Sequence, residues 1–162
     1  MIKFNISARM TAVGAISLLI GIALPVAGYA HDDHVTFSAG APGDPKKPSR
    51  IIEIRMGEGV GKMHYRPDKL VIDKGDQIRF VLKNVGLLPH EFVLATTAEN
   101  LRHAEEMKRF PDMEHDDPNA KRIEPGKTGE IIWRFTKSGE FEFGCLIPGH
   151  REAGMIGKIT VK

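Results

Sequence analysis

The sequence predicts an all-β fold, a two-sheet Greek-key sandwich with one inserted helix near residues 98–109. Three observations carry this. Short runs rich in Val, Ile and Phe recur between Ile51 and Val161. Several alternate apolar with polar side chains, the period of a strand with one face in a core and the other in water. Turn-forming Gly, Pro, Asp and Ser punctuate them, and one segment alone has helical spacing. Short strands separated by such turns build a sandwich.

In chain order, the first element is a leader over residues 1–30. Lys3 and Arg9 precede the apolar run Ala12–Ala27, and Gly28-Tyr29-Ala30 supplies the small residues a signal peptidase reads. The run is short for a membrane span and holds Ser17, Gly21 and Pro25, so stable membrane insertion after cleavage is not expected. Cleavage after Ala30 would start the mature chain at His31 and remove two of the positive charges, taking the formal +2 to about zero. Nucleic acid is therefore an unexpected partner, and the expected location is the periplasm. Residues 31–49 read as a flexible N-terminal segment, because Gly40, Pro42, Gly43, Pro45 and Pro48 crowd its second half. Residues 50–162 read as one domain with one core.

Within that domain the expected strands are Ile51–Ile54, Leu70–Ile72, Gln77–Leu82, Glu91–Leu94, Glu130–Phe135, Glu140–Phe143 and Lys158–Val161. Lys74-Gly75-Asp76, Pro125-Gly126-Lys127 and Lys137-Ser138-Gly139 are the turns between some of them. The helix runs from Ala98 to Arg109, with Thr96 or Thr97 as cap, Glu99 in the first turn and Pro111 as the stop. Leu101, Ala104 and Met107 or Lys108 follow the helical spacing of a packed stripe.

The chemistry concentrates in the segment from Cys145 to Met155, where Cys145, His150 and Met155 follow the spacing Cys-x4-His-x4-Met. A thiolate, two imidazoles and a weakly held thioether make the trigonal site with a long axial ligand that electron-transfer copper prefers. The second imidazole is His90, just before the apolar run Phe92-Val93-Leu94. The single Cys cannot form an internal disulfide, and in an exported chain metal ligation accounts for it. Cys with His also makes a nucleophile and base, but nothing in the sequence suggests an oxyanion hole, and the chain reads as no enzyme.

These motifs resemble those of the cupredoxins, the type 1 copper proteins of the plastocyanin and azurin kind. The resemblance runs from about Arg50 to Lys162 and includes Tyr65-x-Pro67, Gly75-Asp76, His90, the Cys145 loop and Gly157-Lys158-Ile159-Thr160-Val161. The segments His103-Ala104-Glu105-Glu106-Met107 and Phe110 to Pro118 are similar to the insertion of the periplasmic copper-tolerance cupredoxins. The resemblance implies copper as cofactor, with His90, Cys145, His150 and Met155 as ligands of the main centre. Asn84 is expected to tie the His90 loop to the Cys145 loop. His150 is the expected electron port, ringed by Leu87, Leu88, Ile147 and Pro148 as an apolar patch where a redox partner docks.

Other soft and borderline donors lie outside this centre. His103, Met107, Met113 and His115 are candidates for a second copper site, in a stretch with six carboxylates between Glu105 and Asp117. His31 and His34 are candidates for an N-terminal one. Met63 and His64 form a weaker cluster, while Met56 reads as core. The expected function is copper binding and tolerance with redox-active copper; the alternative is a single-copper electron shuttle between respiratory partners.

Overall fold

A computed structural model of the chain describes residues 36–111 and 117–162. Its elements are β1 (Ala41–Pro42), β2 (Arg50–Gly59), β3 (Lys62–Arg66), β4 (Lys69–Ile72), β5 (Gln77–Asn84), β6 (His90–Ala95), α1 (Thr97–Arg109), β7 (Ala120–Ile123), β8 (Thr128–Arg134), β9 (Gly139–Gly144) and β10 (Ile156–Val161). They form two five-stranded sheets, ordered β1-β8-β5-β2-β3 and β4-β10-β9-β6-β7. The pairs β2–β5 and β4–β10 are parallel and the rest antiparallel. The expected two-sheet sandwich with one helix is present.

Alternation fixes which residues face inward. In β5, Ile78, Phe80, Leu82 and Asn84 are buried while the residues between them are half-buried. Trp133, Phe80, Phe92, Phe135, Phe143 and Tyr65 fill the space between the sheets. Phe92 stacks on Phe143 at 5.0 Å, and Tyr65 meets Phe143 edge-on at 5.0 Å, each pair worth about 0.5–1.5 kcal/mol beyond the area it buries. A Cβ at Gly157 would stand 2.0 Å from the Phe143 ring, so the last strand can cross this cluster only as glycine.

Strand β6 is buried along its whole length, and the two faces have different causes. Phe92 and Leu94 enter the inter-sheet core, whereas Val93 joins Ala104, Met107, Ala120 and Leu146 in a second cluster beneath α1. The helix is held at its start by a capping box, Thr96 accepting from Glu99 N and the Glu99 carboxylate accepting from Thr96 N. Such a cap contributes about 1 kcal/mol.

Three expectations are corrected. The flexible segment is, over residues 36–49, part of the sandwich: Ala41 and Pro42 pair with Arg134 and Trp133, and Trp133 Nε1 donates to Ala39 O. Pro42 lies in the edge strand β1, where proline is tolerated, and Pro45 and Pro48 lie in the connection that follows. The packed stripe of α1 is Asn100, Ala104 and Met107, with Leu101 half exposed. Asn100 tolerates burial because its amide donates to Val93 O and Glu142 Oε1. Strands β3 and β7 were not anticipated; KMHYR and AKRI are edge strands whose charged residues face water. Among the described residues no helix is long and apolar enough to cross a membrane. The leader expected at 1–30 lies outside them.

Candidate metal centre

Two connections at one end of the sandwich carry the chemistry. The first leads from β5 to β6 and ends on His90; the second leads from β9 to β10 and holds Cys145, His150 and Met155. Adjacent antiparallel strands β6 and β9 bring the two together, with Val93 opposite Gly144. His90, Cys145 and His150 are all buried, and one donor atom from each lies within 4.8 Å of the others. His90 Nδ1 is 3.3 Å from His150 Nδ1, and Cys145 Sγ is 3.4 Å from the same His150 nitrogen. One ion can therefore be reached by all three.

The backbone sets these positions. Cys145 N donates to Met155 O and Met155 N to His150 O, which closes the loop at its base. His150 N donates to Ile147 O, and Gly149 and Gly154 take the positive φ values of 88° and 100° that the turns need. Met155 is fully buried in the same cluster as Cys145. Glu91 N donates to Cys145 Sγ at 3.3 Å, and the Tyr65 hydroxyl donates to Glu91 O.

That tie between the loops was expected from Asn84, and here the structure corrects the sequence. Asn84 Nδ2 donates to Leu88 O and Ile123 O, and its Oδ1 accepts from Gly86 N. These bonds tie its own turn to β7, and none of them reaches the Cys145 loop. The link to the Cys145 loop is the Glu91 amide, invisible in sequence because it is backbone. Arg151 was also missed: its guanidinium donates to both oxygens of Glu142, to Oε2 at 3.1 Å, and Glu142 in turn accepts from Asn100 and from Thr97 Oγ1 on α1.

Electrostatics favour a soft cation. Burial pushes the Cys145 thiol up to about 12, only partly opposed by the N–H groups of Glu91 and Ile147. Burial likewise lowers His90 and His150, and their neighbours His64 and His90 add to the effect. Neutral imidazoles and a desolvated sulfur give a donor set that suits copper and suits a hard oxygen-seeking cation poorly.

The apolar rim has Leu87 88% and Leu88 43% exposed, Pro148 exposed and Ile147 half-buried. His150 itself is buried, at 8% exposed. Of the second candidate set, His103 lines a cavity of about 380 Å³ with Glu99, Glu106 and Asp117, while Met107 is fully buried under α1. Met113 and His115, and the N-terminal pair His31 and His34, lie outside the described residues. Met56 is core, as expected, and Met63 packs partly against it.

Comparison with known proteins agrees with this geometry. The family described as copper binding proteins of the plastocyanin/azurin type matches residues 52–162. The copper-resistant cuproprotein CopI of Rubrivivax gelatinosus is 47% identical over 83% of this chain and 78% of its own length. The protein of the same name in Pseudomonas aeruginosa is 33% identical over 90% and 93%. Among solved structures, the reduced auracyanin of Roseiflexus castenholzii aligns with a TM-score of 0.59 at 24% identity, covering 72% of this chain and 99% of that one. That likeness speaks for the fold. With a family match over most of the chain and relatives of this identity, the protein belongs to the plastocyanin/azurin family of copper binding proteins.

Proposed function

We propose that His90, Cys145 and His150 hold one copper ion, with Met155 as a weak fourth ligand, in an exported protein that confers copper resistance. The observation that carries this is the buried trio whose donor atoms lie within 4.8 Å of one another. Bound copper would supply a one-electron couple. Cys145 contributes the thiolate, kept in place by the Glu91 amide. His90 and His150 each offer Nδ1, and their neutral state leaves those lone pairs available. The apolar rim excludes water while leaving the His150 edge within reach of a redox partner docking on Leu87 and Leu88, as a brief encounter requires. The role is binding and redox cycling of copper, not turnover of an organic substrate. The leader and the copper-resistant relatives support a periplasmic setting.

The test is Cys145→Ser in the purified, copper-treated protein. The variant should fold, because the sandwich core does not depend on the thiol, yet lose the intense visible absorption of a thiolate–Cu(II) bond. Retention of that band would remove Cys145 from the ligand set. A single-copper shuttle is the second reading, favoured by the exposure of Leu87 and Leu88.

A further inference from the structure

Strand β2 is longer than the strand beside it. Its register with β5 ends at Met56 opposite Asn84, so the residues up to Gly59 run alongside the turn that follows β5. Pairing with β3 sets Met56 opposite Tyr65 and Glu58 opposite Met63. Glu58 is thus one strand repeat from Met56 and shares its inward face.

At that place the carboxylate does three things. Oε2 accepts the N–H of Leu87 at 2.9 Å, and Oε1 accepts that of Leu88 at 2.9 Å. The same Oε1 lies 2.9 Å from Nε2 of His90, the ring nitrogen on the side away from Cys145 and His150. The contact is close but bent from the ring N–H direction. Room for the carboxylate exists only because residue 86 is glycine: a Cβ there would stand 2.2 Å from Glu58 Oε2.

Two neutral acceptors would satisfy the turn's N–H groups equally well. A carboxylate adds negative charge directly behind an imidazole, on a side chain 22% exposed and so partly shielded from solvent screening. An acid against the free nitrogen of a ligating histidine fixes the tautomer and the ring plane and makes the other nitrogen a stronger donor.

We propose that Glu58 is a positioning residue of the metal centre: it clips the turn carrying His90, turns Nδ1 toward Cys145 and His150, and lowers the reduction potential of the bound copper. The inference rests on the reading of His90 as a copper ligand. The added charge favours Cu(II) over Cu(I), because the more highly charged ion gains more from a nearby anion.

The test uses the copper-loaded protein, Glu58→Gln and Gly86→Ala. Gln keeps the size and one acceptor but removes the charge; the alanine methyl pushes the carboxylate away from the turn without changing Glu58 itself. Both should raise the reduction potential, with Cu(II) held about 10- to 100-fold more weakly, and both should shift the thiolate–Cu(II) absorption. Lower thermal stability with wild-type potential and spectrum in Glu58→Gln would reduce Glu58 to a turn clip and overturn the proposal. If that variant does not fold, the same result in Gly86→Ala overturns it. Wild-type protein without any thiolate–copper band would instead overturn the ligand reading on which this one stands.

Discussion

The Cys145 sulfur is a poor acid and a good ligand for the same reason: it is buried among apolar groups. Burial holds its proton up to about 12, against an ordinary value of 9.0, so copper must expel that proton on binding. Apparent affinity should therefore rise about tenfold per pH unit through the neutral range, and more steeply below 6.5, where the lowered imidazoles begin to protonate. Competition with a chelator across a pH series measures this; a flat profile between 6.5 and 9.0 would exclude thiol displacement. The metal-free protein carries the converse signature. A raised thiol contributes stability that is fully present below 9.0 and is lost as pH rises through about 12. The lowered imidazoles contribute stability present above 6.5 and lost as pH falls below it.

One helix and one strand hold the Cys145 loop through a buried acid. Glu142, 3% exposed on β9, takes both guanidinium nitrogens of Arg151, Asn100 Nδ2 and Thr97 Oγ1. Arg151 follows His150, so α1 anchors the loop next to a proposed ligand, and Lys108 of α1 adds an ion pair to Glu152 of the loop. Arg151→Ala should cost roughly 3–5 kcal/mol in urea unfolding, since it strands a buried carboxylate. The double variant Arg151→Ala with Glu142→Ala should cost less than the sum of the two; strict additivity would mean the pair is not coupled. At this scale the sequence was readable where one face is apolar. The β5, β8, β9 and β10 strands and the α1 helix announce themselves by period, cap and stop. Strands β1, β3 and β7 do not, because an edge strand needs few apolar residues and its pairing is decided by backbone groups common to every residue. Leu101 misled because Asn100, buried with its Nδ2 donating to Val93 O and Glu142 Oε1, looks polar in sequence.

For the whole molecule, the proposed copper ligands were legible because three lie on one loop and the fourth precedes an apolar strand. Glu58 was not legible: it lies far from His90 in the chain, and only the pairing of β2, β3 and β5 brings it there. A copper count per purified chain separates the two functional readings. Copper handling predicts more than one equivalent, with the excess lost on replacing His103, Met113 and His115 and the visible band retained. A single equivalent would favour the shuttle. Met107 is left unaltered in that variant, because it packs with Val93, Ala104, Ala120 and Leu146, and truncating it would cost about 2–5 kcal/mol.

The burial of β6 on both faces has a consequence for how metal comes and goes. His90 is rooted at the start of a strand that has core on one side and helix on the other, and Cys145 emerges from the strand beside it. Neither can swing aside without opening the interior. The loop between Pro148 and Gly154 meets solvent and is bounded by two glycines with positive φ. If the trio binds an ion, this solvent-facing loop is the side by which the ion would enter and leave. On the reading of these residues as ligands, His150 is the donor carried on that loop, while His90, Cys145 and the fully buried Met155 are held by the interior.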